Sequence, residues 1–237
     1  MNPDLTLLVI TSPIPGHHST AMIDRTIESA QQGCGGARLL ILCDGVRDES
    51  LRPAYTEYLA RLRLIYQEAV VSADQAPWEH CSMLLHRFFD RITTEYVLYW
   101  EHDWLLNRPV PTRAILGALR EPVRFIRLNK RANTVTGGDK ELAPYRSGNV
   151  ALLATPYWSA NPHFARASSY RECILAHRQS GRSVEQSVMG EPGHGLKTYE
   201  AEGLAGITRR FGAYIYGPLN APALVTHLNG RTWKGIA

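Results

Sequence analysis

The sequence YVLYWEHD, residues 96–103, decides the fold of this chain. Its first five residues are apolar or aromatic, which is typical of a β-strand that is buried on both faces of a sheet. The run then ends in two acids separated by one residue, Glu101 and Asp103. Since open α/β sheets bind ligands at the carboxyl ends of their parallel strands, the pattern predicts a site at the end of this strand.

Strand-like and helix-like segments alternate on both sides of this stretch, which predicts α/β layers. The predicted strands cover residues 5–11, 38–43, 69–72, 95–100, 123–128, 150–155, 213–216 and 224–228. The predicted helices cover residues 20–33, 55–66, 79–93, 112–119, 170–179 and 184–190. Residues 129–146 are polar and rich in glycine, and we expect them to form a loop over the site.

The chain has 237 residues, of which 44% are hydrophobic and 20% charged, as in ordinary globular proteins. No apolar run approaches the roughly 20 residues that span a bilayer, and the N-terminus lacks the pattern of a secretory signal. The four cysteines are scattered, which favours free thiols in a reducing cytoplasm over a zinc site or a disulfide framework. The net charge of +4 favours a phosphate-bearing ligand or acceptor.

The buried strand with its acid-x-acid end resembles the GT-A glycosyltransferases, which are family 2-like nucleotide-diphospho-sugar transferases. The resemblance is best over the first 105 residues and weaker at the final strand. It implies a Rossmann-like three-layer α/β sandwich with a mostly parallel central sheet. It also implies a single domain over residues 1–237, with a nucleotide-binding half (1–105) and an acceptor-binding half (106–237).

The family's acidic motif is usually Asp-x-Asp, whereas this chain has Glu101-His102-Asp103. The resemblance assigns the metal, Mn²⁺ or Mg²⁺, to Asp103, while the longer Glu101 reaches the ribose or a water molecule. Many members add a C-terminal histidine to the metal, and His227 matches that position. The competing interpretations are an exposed acidic turn after the strand and a histidine packed at a strand end.

Further nucleotide contacts are implied at the ends of the first two strands. Thr11 and Ser12 offer hydroxyl and backbone groups, and His17 binds phosphate, stacks on a base or is an ordinary surface histidine. Asp44 closes the second strand, where the family binds base or ribose, although an Asp-Gly turn has the same sequence. Asn149 precedes a buried strand, where the family contacts the donor sugar.

Catalytic roles are implied for Glu185 and Arg231. In inverting members an acid at the start of a late helix removes the acceptor proton, and Glu185 matches that placement, with Glu191 as the second choice. An acid in a first helical turn is also favoured by the helix dipole alone. Arg231 is expected to stabilise the departing diphosphate. Weaker candidates for the sugar or acceptor pocket, or for stacking, are Arg87, Arg127, Asn129, Lys130, Trp100, Trp104 and Trp158.

These residues predict a metal-dependent glycosyltransferase that uses a nucleotide-diphosphate sugar, with a UDP-sugar favoured. Similar compact enzymes of phages and bacteria imply a hydroxymethylated base in DNA as acceptor, in the host cytoplasm, and a cell-envelope glycan is the alternative. A nucleotidyltransferase is disfavoured because residues 12–20 contain one glycine and neither lysine nor arginine. A non-catalytic nucleic-acid-binding module would need a basic stripe with interleaved aromatic residues, whereas the charge here is scattered. A metallohydrolase would need an H-x-H or H-E-x-x-H spacing, and neither occurs in the sequence.

Overall fold

The computed structural model describes residues 2–72, 80–136, 139–177, 183–189 and 196–229. The strands are β1 (Asn2–Thr11), β2 (Ala37–Cys43), β3 (Val70–Ser72), β4 (Tyr96–Glu101), β5 (Trp104–Leu106), β6 (Phe125–Arg127), β7 (Ala143–Ser147), β8 (Val150–Ala154), β9 (His163–Arg166), β10 (Ala213–Tyr216) and β11 (Val225–His227). The helices are α1 (Ala21–Gly33), α2 (Arg52–Tyr66), α3 (His80–Phe88), α4 (Thr112–Ala118), α5 (Ala167–Cys173), α6 (Val184–Met189) and α7 (Leu196–Phe211).

Within these ranges, one large sheet has the strand order β3-β2-β1-β4-β9-β6-β10-β8-β7. The strands β3, β2, β1, β4, β6, β10 and β7 run in one direction, while β9 and β8 run in the opposite direction. The mostly parallel sheet that the sequence predicts is therefore confirmed. Its parallel half, from β3 to β4, is formed by the first 101 residues.

Two apolar layers cover the faces of this sheet, because the side chains of a buried strand alternate between its faces. In β1, Leu5, Leu7 and Val9 pack with the residues that α1, α2 and α4 bury. Leu8 and Ile10 face the other layer, which contains the buried residues of α3, α5 and α6. The predicted three-layer α/β sandwich is confirmed.

A second, small sheet forms beyond the carboxyl end of β4. There β5 pairs antiparallel with β11, and His227 lies opposite Trp104. The strand β5 also packs along α1, and Ser29 Oγ accepts a hydrogen bond from the Leu106 backbone N–H at 3.2 Å. The chain therefore turns away from the large sheet immediately after the acidic motif.

Several elements differ from the sequence-based expectations. Residues 129–146 were expected to form a loop, but they contain most of β7. This strand forms a hairpin with β8. The helix expected over residues 170–179 begins earlier, at Ala167, and ends at Cys173, while residues 178 and 179 lie outside the described ranges. The sequence patterns did not predict β5, β9 and α7, because the two strands have only three and four residues and α7 is interrupted at Gly203.

The described part of the chain bears on two expectations from the sequence, those about membrane-spanning segments and about the cysteines. No helix there is both long and apolar enough to pass through a lipid bilayer. Cys34, Cys43 and Cys173 are buried and are not joined in disulfides, and the side chain of Cys81 lies outside the description. The division into a nucleotide-binding and an acceptor-binding half remains a prediction.

Candidate functional site

The acidic end of β4 lies at the edge that β1 and β2 share. Thr11 lies opposite Cys43 at the ends of β1 and β2, and the His102 backbone N–H donates to the Ile10 carbonyl at 3.0 Å. Thr26 of α1 donates its hydroxyl proton to the His102 carbonyl at 2.8 Å. These contacts fix the backbone of the acid-x-acid motif from two sides.

Glu101 is half-buried, and neighbouring aromatic side chains hold its carboxylate. Tyr99 donates its hydroxyl proton to Oε1 at 3.1 Å, and the Trp104 indole N–H donates to Oε2 at 3.5 Å. The pKa of Glu101 is raised to about 7, chiefly by burial, then by the charge of Asp103 and, to a smaller extent, by that of Glu185. The Glu101 carboxyl therefore changes between its protonated and deprotonated forms near neutral pH.

Asp103 meets His227 at the small sheet. The Asp103 Oδ2 atom lies 3.0 Å from His227 Nε2, and the Asp103 backbone carbonyl accepts from the Leu228 N–H at 2.7 Å. The Asp103 side chain is 11% exposed and the His227 side chain 43% exposed, so the pair opens to solvent on the histidine side. Residues 124 positions apart in the sequence thereby form one polar site.

Asn129, just after β6, holds the segment that carries His227. Its backbone carbonyl accepts hydrogen bonds from the N–H groups of Leu224 and Val225, at 2.8 and 3.2 Å. Its side-chain amide donates to the carbonyls of Ala221 and Pro222, each at 3.1 Å. The position of the histidine therefore depends on the β5–β11 pairing and on this asparagine.

The loop after β1 is packed more tightly than the sequence suggested. Thr11 is completely buried and its hydroxyl lies 3.0 Å from that of Tyr58, so it is a packing residue rather than a free ligand group. His17 is also buried, 4% exposed, and stacks on Tyr58 with ring centroids 3.9 Å apart. The expectation of a surface histidine is therefore wrong. Ser12 is half-buried at the strand end.

Burial also fixes the charge of this histidine. The pKa of His17 falls to about 3, chiefly because burial disfavours the charged form and secondarily because His102 lies nearby. Its Nδ1 accepts from the Ile14 N–H at 3.2 Å, which leaves the proton of the neutral ring on Nε2. A neutral, stacked imidazole orders the loop and supplies no positive charge for phosphate.

Asp44 lies at the end of β2, adjacent to Thr11. The Asp44 N–H donates to the Thr11 carbonyl at 2.9 Å, and the Gly45 N–H donates to the Asp44 carboxylate at 2.8 Å. Residues 44 and 45 form no hydrogen-bonded turn, and the Asp44 carboxylate lies at the ligand-binding edge but is buried, 2% exposed. The structure thus brings Thr11, Asp44 and the acidic motif to one edge.

A cavity of about 330 Å³ is lined by residues between β6 and β7, after β8, in α6 and in β10. Glu185, in the first turn of α6, lines it and is exposed, and the charge of Glu185 contributes to the raised pKa of Glu101. Ser183 caps this helix, because its hydroxyl accepts from the Gln186 N–H at 3.0 Å and its own N–H donates to the Gln186 side chain. Lys130 lines the same cavity, with Nζ 5.9 Å from the centroid of the Trp104 ring.

The remaining candidates lie in different places. Asn149 is exposed in the β7–β8 turn and does not line this cavity, so the expected sugar contact is not supported by its position. Arg231 and Glu191 lie outside the described residues. Arg127 lines the cavity and is paired with Asp139 at 2.7 Å. Arg87 is exposed on α3, and Trp100 and Trp158 are core side chains.

Some lining residues were not singled out from the sequence. Asn133, Asp139 and Tyr157 all line the cavity. Asn133 and Asp139 belong to the stretch expected as a loop over the site, but single polar residues in such a stretch carry no spacing signal. Tyr157 lies in the irregular segment after β8, which no periodicity marks.

Comparisons with known proteins give a match in fold but none in sequence. No protein-family model matches the chain, and no curated protein matches it. The crystal structure of S. aureus TarS 1–349 aligns at a TM-score of 0.49 and 11% identity, over 94% of this chain and 60% of that one. The crystal structure of GalNAc-T7 with UDP, GalNAc and Mn²⁺ aligns at 0.53 and 11% identity, over 98% of this chain and 44% of that one.

The chain has a GT-A fold. It spans 60% and 44% of the two chains that it matches. At 11% identity the likeness concerns the fold alone, so activity has to be argued from the site.

The raised pKa of Glu101, the half-buried acid at the end of β4, predicts that the stability of the metal-free protein depends on pH. A carboxyl whose folded-state pKa lies near 7, above its ordinary 4.5, binds more protons folded than unfolded. The free energy of unfolding should therefore fall as the pH rises from about 4.5 to about 7. Glu101→Gln should flatten this dependence when urea unfolding is followed in EDTA at several pH values.

The control is Glu68→Gln, which removes an exposed acid just after α2. It should leave the dependence on pH as in the wild type. An unaltered slope in Glu101→Gln would contradict the assignment of this titration to Glu101.

Proposed function

We propose that this chain is a metal-dependent glycosyltransferase that moves a sugar from a nucleotide-diphosphate sugar, with UDP-sugar as the favoured donor, to an acceptor hydroxyl. The observation that carries the proposal is the 3.0 Å approach of His227 to Asp103 at the end of β4. The GT-A fold supports it, since the aligned GalNAc-T7 structure contains UDP, GalNAc and Mn²⁺.

The side chains at this point fit Mn²⁺ or Mg²⁺. Carboxylate oxygen and imidazole nitrogen are suitable donors, and imidazole favours Mn²⁺. Two adjacent ligands of an octahedral ion with bonds of about 2.1 Å lie about 3.0 Å apart, which is the spacing of Asp103 and His227. The described residues contain no group of three or more metal-binding side chains, so phosphate oxygens and water would complete the shell.

Each nearby residue then has a defined task in the transfer. The acceptor hydroxyl attacks the anomeric carbon as the bond from that carbon to the diphosphate oxygen breaks. Glu185 accepts the hydroxyl proton on its carboxylate, which is the general-base role of an inverting reaction. Asp103 and His227 would hold Mn²⁺ or Mg²⁺, which would supply positive charge to the departing diphosphate. Arg231 lies outside the described residues, and its role in stabilising the same diphosphate stays a prediction from the sequence.

The nucleotide is proposed to lie over the ends of β1 and β2. Asp44 has a buried carboxylate there, 2% exposed, and Ser12 has a half-buried hydroxyl. Glu101 is assigned to the ribose. The hydrogen bonds that Glu101 accepts from Tyr99 and Trp104 orient its carboxylate, which favours a nucleotide contact over a metal bond. Asp103 is thus the acid of this motif that is assigned to the ion.

Two classes of acceptor are compatible with the same chemistry, a hydroxymethylated base in DNA and a glycan. The dependence of the transfer rate on salt concentration distinguishes them. A DNA acceptor requires contacts between cationic side chains and phosphates, and these release counterions. The rate with a DNA acceptor should then fall steeply between 50 and 200 mM salt, roughly as a power of the salt concentration. A rate with a glycan acceptor should remain nearly flat, and sugar incorporation into each substrate measures the difference.

The metal role of Asp103 predicts the loss of nucleotide binding in Asp103→Ala. We expect UDP to bind the wild type in Mn²⁺ and to bind far more weakly in EDTA. Even outer-shell partners of metals contribute roughly 10–100-fold to affinity, so loss of a direct ligand should weaken binding by about 100-fold or more. Isothermal titration of UDP with Mn²⁺ measures the effect.

Asp90→Ala is the matched control. The Asp90 side chain is 99% exposed, and Asp90 precedes β4 in the chain, whereas Asp103 follows it. It should bind UDP as the wild type does. Equal affinity with and without Mn²⁺, or in Asp103→Ala and wild type, would exclude the metal role.

The general-base role predicts that Glu185→Gln loses turnover and keeps the donor. UDP release from UDP-sugar should fall by roughly 10²–10⁴-fold, as expected for removal of a positioned base. UDP binding with Mn²⁺ should stay within about twofold of the wild type, since the variant keeps both proposed metal ligands, Asp103 and His227. Full turnover in this variant would assign the base to another residue, and Glu68→Gln is again the control.

A further inference from the structure

The side chain of Lys130 adjoins both the proposed cation site and the cavity that Glu185 lines. Its Nζ atom lies 5.9 Å from the centroid of the Trp104 ring, and the His227 ring packs on the same indole with centroids 4.5 Å apart. Lys130 also lines the cavity together with Glu185. Its ammonium group therefore shares an aromatic neighbour with the proposed metal ligand and a cavity with the proposed base.

The backbone of Lys130 is tied to the strand that carries His227. The carbonyl of Asn129, the preceding residue, accepts a hydrogen bond at 3.2 Å from the N–H of Val225, which begins β11. The Asn129 side chain donates to the carbonyl of Arg131, the following residue, at 2.7 Å. The fold thus sets the position of Lys130 relative to His227, while the lysine side chain is exposed and can reach a ligand.

No carboxylate pairs with Lys130 in the part of the chain that the structure describes. Arg127, which lines the same cavity, is by contrast paired with Asp139 at 2.7 Å. The contact of an exposed ammonium with an aromatic face is weaker than a charge-assisted hydrogen bond to a phosphate. The ammonium of Lys130 is therefore available to an anionic ligand.

The charges near the acidic motif explain why a cation is needed there. The carboxylates of Asp103 and Glu185 both raise the pKa of Glu101, so the three acids lie close enough to repel one another. A nucleotide diphosphate adds negative charge, and the departure of the sugar adds more. Positive groups that are already in place are an effective means of stabilising a charge that develops during a reaction. Lys130 is a described side chain that can supply such a charge.

The place of Lys130 in the cavity wall selects the β-phosphate. In a nucleotide-diphosphate sugar, the β-phosphate carries the sugar. The base of an inverting reaction acts on the opposite face of the anomeric carbon. Since Glu185 is the proposed base and lines this cavity, the β-phosphate should lie nearer to the cavity than the α-phosphate. A cation that adjoins the cavity is therefore placed for the β-phosphate.

We infer that Lys130 is a catalytic residue whose ammonium group leaves the face of Trp104 and donates to the β-phosphate of the donor. When the bond between the anomeric carbon and the β-phosphate oxygen breaks, the electron pair stays on that oxygen. The ammonium stabilises the resulting charge and gives up no proton. The inference rests on the proposed function, because it needs the nucleotide at the end of β4.

The test uses Lys130→Met, which removes the charge and keeps an apolar stem of similar length. UDP and UMP are titrated into the protein with Mn²⁺, because UMP lacks the β-phosphate. The variant should bind UDP about tenfold or more weakly than the wild type does, as for a lost hydrogen bond between charged groups, and UMP within about twofold. Lys130→Arg keeps a positive charge and should bind UDP more tightly than Lys130→Met.

Lys140→Met is the matched control. Lys140 is an exposed lysine of the same polar stretch, and it does not line the cavity. Its replacement changes the net charge by the same amount, so an effect of overall charge would be seen in both variants. UDP affinity in Lys140→Met should equal that of the wild type. Thermal unfolding of each variant separates a loss of binding from a loss of fold.

A second measurement follows the release of UDP from UDP-sugar. Because Lys130 acts on charge that develops as the bond breaks, Lys130→Met should lower kcat by roughly 10²–10³-fold, as for removal of one preorganised donor. The rise in KM should be smaller than the fall in kcat. A lysine that only supported the Trp104 ring would change the affinities for UDP and UMP alike.

Several outcomes would overturn the inference while Mn²⁺-dependent UDP binding by the wild type stays intact. These are unchanged UDP affinity in Lys130→Met, an equal loss of affinity for UDP and UMP, an equal loss in Lys140→Met, an unchanged kcat, or no gain in Lys130→Arg. Absence of Mn²⁺-dependent UDP binding by the wild type would instead refute the proposed function. The wild-type titration thus distinguishes the two failures.

Discussion

The antiparallel pairing of β5 with β11 is the constraint on which the site depends. Because β5 follows the acidic motif directly, any strand paired with it lies beside Asp103, and the register brings His227 to 3.0 Å from that carboxylate. Asn129 holds the approach to β11 through backbone and side-chain hydrogen bonds. The early and late parts of the chain are therefore joined at the atoms proposed to hold the cation.

Two kinds of electrostatic environment meet at this point. The loop after β1 is packed on aromatic rings, and burial keeps His17 neutral, so that loop shapes the edge without adding charge. The acids remain the dominant charges, and the carboxyl of Glu101 is held near its titration point by burial and by Asp103. Close acids in a half-buried setting attract a divalent ion, which relieves their mutual repulsion.

The sequence was sufficient to predict the strands formed by long buried segments and the residues at the ends of those strands. The runs that became β1, β2 and β4 are continuous and apolar, so their strands and the position of Asp44 and Asp103 at one edge could be inferred. The register between β5 and β11 could not, because a three-residue strand has no periodicity, and the role of His227 came from a family resemblance. The buried state of His17 depends on stacking against Tyr58, 41 residues away, and the cavity depends on residues between β6 and β7, after β8, in α6 and in β10. Such long-range contacts leave no local pattern.

The central claim is that Asp103 and His227 bind one cation in the presence of nucleotide. Electron–nuclear double resonance of Mn²⁺ bound to the UDP complex tests it most directly, with protein labelled with ¹⁵N only in histidine. If His227 binds the ion, the spectrum should show a nitrogen hyperfine coupling from one directly bound imidazole. This coupling should have the ¹⁵N pattern in the labelled protein and be absent in His227→Ala. A bound Mn²⁺ with phosphorus coupling from UDP but no histidine nitrogen coupling, or a coupling that survives in His227→Ala, would contradict it.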